Sequence, residues 1–170
     1  MSDEVRAGGD ERGWDALARA AALRASEESH ALLREFLVFT LEDDRYAIPV
    51  ERVREIVRLR PVTAVPRVPR EIRGVISLRG EIVQVLDLRS RLGLPPVPAA
   101  RATRIVVLHG DDGEVAGLLV DAVTEVLRIT EEDIQPPPGG ESPFVSALCE
   151  RAGGFVSLMN VDRVLDLGTD

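Results

Sequence analysis

Two short apolar runs separated by a glycine turn, near the middle of the chain, predict a β-hairpin. The runs cover residues 74–78 and 82–86, and Arg79 and Gly80 lie between them. Runs rich in β-branched residues on either side of such a pair are typical of strands joined by a tight turn. The spacing then becomes helical over residues 87–92, which predicts a short helix after the second strand.

Arg79 is the charged residue of the two-residue turn between these apolar runs. A guanidinium held on a rigid turn suits the recognition of a carboxylate or carbonyl group in a partner. The simpler interpretation is that Arg79 only keeps an exposed turn soluble. We expect the glycine beside it to leave its guanidinium free to point outward.

The apolar pattern before this hairpin predicts two further strands. Residues 36–41 and 46–50 are largely apolar and are joined by an acidic turn, which is typical of another hairpin. Val53, Ile56 and Val57 follow at helical spacing, which predicts a helical turn there.

An amphipathic helix is predicted near the N-terminus. From Trp14 to about Arg34, apolar residues recur every three or four positions. Residues 1–12 are polar and charged, so we expect them to be mobile. We therefore divide the chain into a partly helical N-terminal extension, residues 1–34, and a β-rich domain, residues 35–168.

The second half of the chain repeats the first. Residues 50–58 align with residues 120–128, and residues 80–92 align with residues 153–165. An internal duplication of this kind predicts two similar β units, with a repeat boundary near residues 95–102. Because each unit is too small to be stable alone, the two should share a hydrophobic seam.

Charge and composition narrow the possible functions. The formal net charge is −8, which disfavours nucleic acid as a partner. Residues 51–79 contain eight arginines and three acidic residues, whereas residues 111–133 contain one arginine and eight acidic residues. A chain polarised in this way can orient on partners with complementary faces. We found no signal peptide or membrane-spanning window and only one cysteine, so we expect a soluble cytoplasmic protein.

The sequence offers little for catalysis. His30, His109 and Cys149 do not have the spacing of metal ligands. Cys149 lies in an apolar stretch, which favours a buried structural thiol over a nucleophile. The clustered carboxylates fall on predicted turns, where they are ordinary solvated surface. We therefore expect no enzymatic activity, no metal and no cofactor.

Several motifs, in order along the chain, resemble the CheW family, the scaffold proteins of bacterial chemotaxis arrays. The resemblance runs from about Glu35 to Leu167. Ser77 departs from it, because the family usually has asparagine before Leu-Arg-Gly. The pieces that carry the resemblance are residues 36–41, 53–56, 72–80, 83–89, 119–123, 126–127 and 160–161.

The resemblance implies an all-β fold with minor helices, in which two SH3-like five-stranded β-barrels pack side by side after an N-terminal helix. It also implies a non-enzymatic adaptor. One surface would bind the regulatory domain of a CheA-type histidine kinase, and another would bind the cytoplasmic tip of a chemoreceptor. The protein would be cytoplasmic and recruited to membrane-associated receptor arrays, without direct membrane insertion.

By position, the resemblance also implies two sets of contact residues. The residues expected to face the receptor are Val53, Glu55, Gly74 and Arg79. The residues expected to dock the kinase or the receptor are Thr103, Arg104 and Val126.

Two alternatives remain open at this point. The first is a CheW-like adaptor of another two-component pathway, such as pilus motility or development. The second is a small-molecule-binding β-barrel, which a closed apolar cavity of roughly a few hundred Å³ would favour.

Overall fold

The computed structural model describes residues 11–139 and 142–168. Residues up to Leu33 and residues from Arg34 onward form two separate compact units. The first contains helix α1 (Glu11–Leu32), where the sequence predicts an amphipathic helix. The expected mobility of residues 1–12 concerns mainly residues 1–10, which lie outside the described residues.

Besides two single-turn 3₁₀ helices (Val50–Arg52 and Glu131–Asp133), the described part of the second unit contains eleven strands and two short α-helices. They are β1 (Arg34–Leu41), β2 (Asp44–Pro49), β3 (Val53–Arg58), β4 (Ile72–Leu78), β5 (Glu81–Asp87), α2 (Leu88–Arg91), β6 (Arg104–His109), β7 (Val115–Val120), β8 (Ala122–Ile129), β9 (Ile134–Gln135), β10 (Val145–Arg151), β11 (Gly154–Met159) and α3 (Val161–Leu165).

The central hairpin is confirmed. Strands β4 and β5 pair antiparallel, and Arg79 and Gly80 form the turn with φ of 50° and 84°. Positive φ at both positions matches the twist of a two-residue hairpin turn. The predicted short helix is α2, and the Asp87 carboxylate caps it by accepting hydrogen bonds from the N–H groups of Arg89 and Ser90.

The opening hairpin is confirmed as β1 and β2, but the predicted helical turn after it is wrong. Val53, Ile56 and Val57 lie in strand β3, which pairs antiparallel with β6 and places Val57 opposite Ile105. Ile56 is exposed, whereas Val57 packs into the core of the second sheet. Three apolar residues fit both the helical and the strand period, and the pairing with β6 selects the strand.

The two sequence repeats interleave in space. The first sheet has the order β8-β1-β2-β11-β10-β9, and the second has the order β3-β6-β7-β5-β4. Each sheet therefore takes one hairpin from one repeat and its remaining strands from the other. The predicted boundary at residues 95–102 does not divide the sheets, because the second sheet runs from β3 to β7 across it.

The fold class is confirmed as mostly β, with two sheets consistent with SH3-like barrels. Within the described residues, the end strands of each sheet do not pair with each other. Each sheet has a core of its own, and a third core contains residues of both sheets. Val38 belongs to the core of the first sheet, and its neighbour Phe39 to the shared core, because both faces of β1 are buried. This shared core is the predicted hydrophobic seam.

Candidate interaction surfaces

The turn between β4 and β5 brings two predicted receptor-facing residues together. Nη2 of Arg79 lies 3.1 Å from Oε2 of Glu55 on β3. The Arg79 side chain is 82% exposed, whereas that of Glu55 is 19% exposed. The guanidinium is therefore at the surface, as expected, but it is held by a carboxylate rather than free.

A second ion pair joins the same two elements. Nη1 of Arg54 on β3 lies 3.2 Å from Oε2 of Glu81, just after the turn. Ile56 and Ile82, which flank these pairs in sequence, are 42% and 77% exposed. We call the region around this turn, with Glu55, Ile56, Arg79 and Ile82, the tip surface; Ile56 and Ile82 are its exposed apolar residues, and Arg79 is its exposed guanidinium.

The other two predicted receptor-facing residues are less exposed. Val53 is half-buried and packs against the shared core. Gly74 is buried, and a Cβ at this position would lie 2.1 Å from the carbonyl oxygen of Thr63. Gly74 thus allows the Thr63 backbone to pair closely with Val75, and presents no side chain of its own.

The three predicted docking residues do not form one group. Thr103 is buried, and its hydroxyl accepts a hydrogen bond from the N–H of Ala100 at 2.8 Å. Arg104, at the start of β6, donates to the carbonyl oxygens of Arg101 and Thr103, each at 2.8 Å. Val126 lies on β8 in the other sheet and is 52% exposed.

The internal repeat reveals a counterpart of the tip surface on the first sheet. The offsets of 70 and 73 residues that align the repeats match Ile56 with Val126 and Ile82 with Phe155, which is 55% exposed. We call Val126 and Phe155 the twin surface. The family resemblance points to Val126 but not to Ile56, Ile82 or Phe155, although the repeat alignment relates all four residues.

The turns of the two surfaces share their backbone but not their charge. Ala152 and Gly153 form the turn of the twin surface, with φ of 49° and 76°. Ala152 takes the place of Arg79, so the twin surface has no guanidinium at this position. The two turns are alike in backbone conformation and different in charge, and a difference in charge allows discrimination between partners.

A buried arginine connects the two sheets. Nε of Arg89 on α2 donates to Oδ1 of Asp121 at 2.9 Å, and its Nη1 donates to Glu42 at 3.0 Å. We call these three residues the α2 clamp. The Arg89 side chain is 7% exposed. The hydrogen bond from Arg89 lowers the pKa of the Asp121 carboxyl, and the same bond raises the pKa of Arg89.

A second ionic cluster joins the other short helix, α3, to the residue before β3. Arg52, just before β3, forms ion pairs with Asp111 and with Asp162 on α3. We call these three residues the α3 clamp. The backbone N–H of Asp111 donates to Asp162, and this bond together with the Arg52 guanidinium lowers the pKa of the Asp162 carboxyl. In the α2 clamp the arginine is on the helix, whereas in the α3 clamp it precedes strand β3.

Other reactive groups offer no site. Cys149 is fully buried, and burial raises the pKa of its thiol, which disfavours the nucleophilic thiolate. The described residues include no group of three or more His, Cys, Asp or Glu side chains placed to hold a metal ion. Among the helices in this part of the chain, none combines the length and the apolar character needed to span a membrane.

Comparison with known proteins agrees with this architecture. The family model described as "CheW-like domain" matches residues 35–168. A chemotaxis protein CheW of Helicobacter pylori is 33% identical over 148 residues, covering 85% of this chain and 89% of its own. Protein FrzA of Myxococcus xanthus is 39% identical over 153 residues, covering 86% of this chain and 91% of its own.

A solved structure is also similar to this chain. The crystal structure of the scaffolding protein TtCheW from Thermoanaerobacter tengcongensis matches with a TM-score of 0.70 and 32% sequence identity, covering 75% of this chain and 88% of that one. The family model spans the whole β-rich domain. The chain therefore belongs to the CheW family of chemotaxis coupling scaffolds.

Proposed function

We propose that this chain is a non-enzymatic adaptor that couples chemoreceptors to a CheA-type histidine kinase. The observation that carries the proposal is that each sheet exposes two apolar residues at equivalent positions, Ile56 and Ile82 on one sheet and Val126 and Phe155 on the other. A coupling protein needs two separate contact surfaces, whereas a protein with one partner needs one. Membership of the CheW family supports the same role.

The tip surface fits the cytoplasmic tip of a chemoreceptor. Such a tip is a helical hairpin, and helices dock by laying apolar side chains against an apolar surface. Ile56 and Ile82 supply that surface, and Arg79 is placed to add a charge-assisted hydrogen bond at its edge. Val53 and Gly74 would support this contact from beneath, by positioning β3 and the backbone at Thr63.

The twin surface fits the regulatory domain of the kinase. That domain is itself CheW-like in this family, so two related folds would meet through related surfaces. Val126 and Phe155 offer the apolar area for such a contact. Thr103 and Arg104, near the start of β6, stay predicted docking residues for the kinase or the receptor. In this role the protein is cytoplasmic and is recruited to receptor arrays, where repeated weak contacts gain strength from multivalency.

Separate variants of the two surfaces test this proposal. Purified receptor tip and kinase regulatory domain are each captured with Ile82→Asp, with Phe155→Asp and with a control, Val65→Asp, which changes another exposed apolar residue. We expect Ile82→Asp to lose the receptor, Phe155→Asp to lose the kinase domain, and the control to keep both. Retention of both partners by both surface variants would overturn the proposal.

A second candidate is an adaptor of another two-component pathway. The similarity to protein FrzA of Myxococcus xanthus favours it, because that relative carries a name other than CheW. The two candidates share the same surfaces and differ in the identity of the partners. Capture with receptors and kinases encoded beside this chain would distinguish them.

A further inference from the structure

Two arginines face each other across the second sheet. Arg58 on β3 is the register partner of Arg104 on β6, so both side chains leave the same face of the sheet. At the equivalent position of the first sheet, Arg128 is opposite Glu35, with 3.7 Å between guanidinium and carboxylate. Like charges directly opposite each other destabilise a strand pair, whereas opposite charges stabilise it.

Arg58 therefore lacks the opposing carboxylate that Glu35 provides for Arg128. In the described ranges, neither Arg58 nor Arg104 forms an ion pair with an acidic side chain. With Arg101 they line a cleft of about 590 Å³ that contains no acidic side chain. A concentration of unbalanced arginines in a chain of net charge −8 indicates a site for an anion.

A partly apolar cavity adjoins this cleft. Leu59 and Thr103 line both spaces, so the cleft with its arginines borders the cavity, and we call this border the rim. The cavity has a volume of about 590 Å³, which is within the range of small-molecule sites. Its apolar walls are formed by Leu59, Pro61, Val62, Val97, Pro98 and Leu119.

The carboxylates in this cavity are already engaged. Asp121 is bound by Arg89 in the α2 clamp, and Asp87 caps helix α2. Arg60 and Arg73 also line the cavity. The acidic side chains therefore do not cancel the positive charge at the rim.

We propose that the cavity and its rim bind a small organic anion, with an apolar body in the cavity and a carboxylate or phosphate group between Arg58 and Arg104. Guanidinium groups bind both anions in bidentate geometry. The concave shape favours a small molecule over the flat surface of a protein partner. This site lies apart from the tip and twin surfaces and does not depend on the adaptor role, although Arg104 is also one of the predicted docking residues.

Calorimetric titration of the full chain with octyl phosphate tests the site. We expect one molecule to bind per chain, at least about tenfold more tightly than octanol or inorganic phosphate, because each of these carries only half of the recognised features. Added salt should weaken the binding. Titration with octanoate, which carries a carboxylate in place of the phosphate, shows which anionic group is preferred. Tighter binding of either amphiphile than of octanol or inorganic phosphate supports the proposal.

The pairing of Glu35 with Arg128 in the first sheet suggests the most informative variant. Arg104→Glu recreates, opposite Arg58, the pairing of Glu35 with Arg128. We expect it to weaken octyl phosphate binding by at least about tenfold while the thermal stability stays equal or rises. Arg163→Glu, an exposed change of the same charge on α3, serves as the control and should bind normally. Arg58→Gln gives an independent measurement should Arg104→Glu fail to fold.

Three results would overturn the proposal. These are the absence of saturable binding by either amphiphile, undiminished binding by Arg104→Glu or Arg58→Gln, and equal binding of hexaglutamate, which would indicate a site for acidic peptides instead. None of them bears on the adaptor role, because that role is tested at Ile82 and Phe155.

Discussion

The guanidinium of Arg79 is held 3.1 Å from the carboxylate of Glu55, so an exposed hairpin tip is fixed by the neighbouring strand β3. The pair joins residues 24 positions apart that both belong to the tip surface. Because Arg79 is 82% exposed, the pair adds little to stability and mainly sets the direction of the guanidinium.

Arg79→Glu should therefore leave the fold intact and weaken partner binding. We expect a loss of at most about 1 kcal/mol in the free energy of unfolding, and a loss of about tenfold in affinity for the receptor tip. Urea denaturation and a binding titration measure the two effects. The double variant Arg79→Glu/Glu55→Arg restores an ion pair with reversed charges, and should recover stability but not affinity. Recovered affinity would mean that the partner does not recognise the charge at residue 79.

The hairpin that carries Arg79 could be predicted because its signals are local. A glycine turn between apolar runs fixes β4 and β5, and the following Asp87 caps α2. Strand β3 was missed for the opposite reason. Its identity depends on pairing with β6, about fifty residues away, and three apolar residues in six do not define a period.

The candidate surfaces were predicted only in part. A sequence repeat indicates that two units are similar, but it does not indicate where their strands lie in the fold. The aligned repeats predict two similar units and a shared seam, but do not indicate that each sheet borrows a hairpin from the other repeat. Ile82 is exposed at the start of β5, before the pairing of this strand with β7 begins at Gln84. Arg89 and Asp121 are 32 residues apart, and only the fold brings them together.

The α2 clamp should be important for stability. Arg89→Met removes a buried cation and leaves the Asp121 carboxylate partly buried without its main partner. We expect a loss of about 2–3 kcal/mol in the free energy of unfolding, measured by urea denaturation. Arg128→Met, which removes an exposed ion pair, is the control and should cost less than about 1 kcal/mol. Equal losses in the two variants would contradict the role of the clamp.

The clamps should also make the fold sensitive to acid. The folded-state pKa values of Asp121 and Asp162 lie below their ordinary value of 3.8. Their stabilisation is therefore complete above that value and is lost as the pH falls through the lowered folded-state pKa. We expect the unfolding free energy to decrease in this range, and Asp121→Asn to reduce the slope. An unchanged slope in equilibrium denaturation of Asp121→Asn would contradict this assignment.

The N-terminal extension should not be needed for folding of the β-rich domain. Among the residues whose burial is described, those of the core lie at Phe36 or beyond, and β1 begins at Arg34. We expect a chain that starts at Arg34 to keep its cooperative thermal transition and its binding to the kinase regulatory domain. Circular dichroism and a pull-down measure these properties. Loss of the transition would show that the extension contributes to the fold.

Gly74 and Gly80 form a matched pair for the last prediction, because both have positive φ but only Gly74 is crowded. At Gly74, φ is 147° and an added Cβ would lie 2.1 Å from the Thr63 carbonyl oxygen, whereas at Gly80 φ is 84° and the space is open. We expect Gly74→Ala to cost at least about 3 kcal/mol, since the backbone at Thr63 must move, and Gly80→Ala to cost about 1 kcal/mol. Urea denaturation of both variants compares the two costs. Similar values would mean that the close approach of Thr63 to β4 is not needed, and that the backbone conformation alone determines the cost.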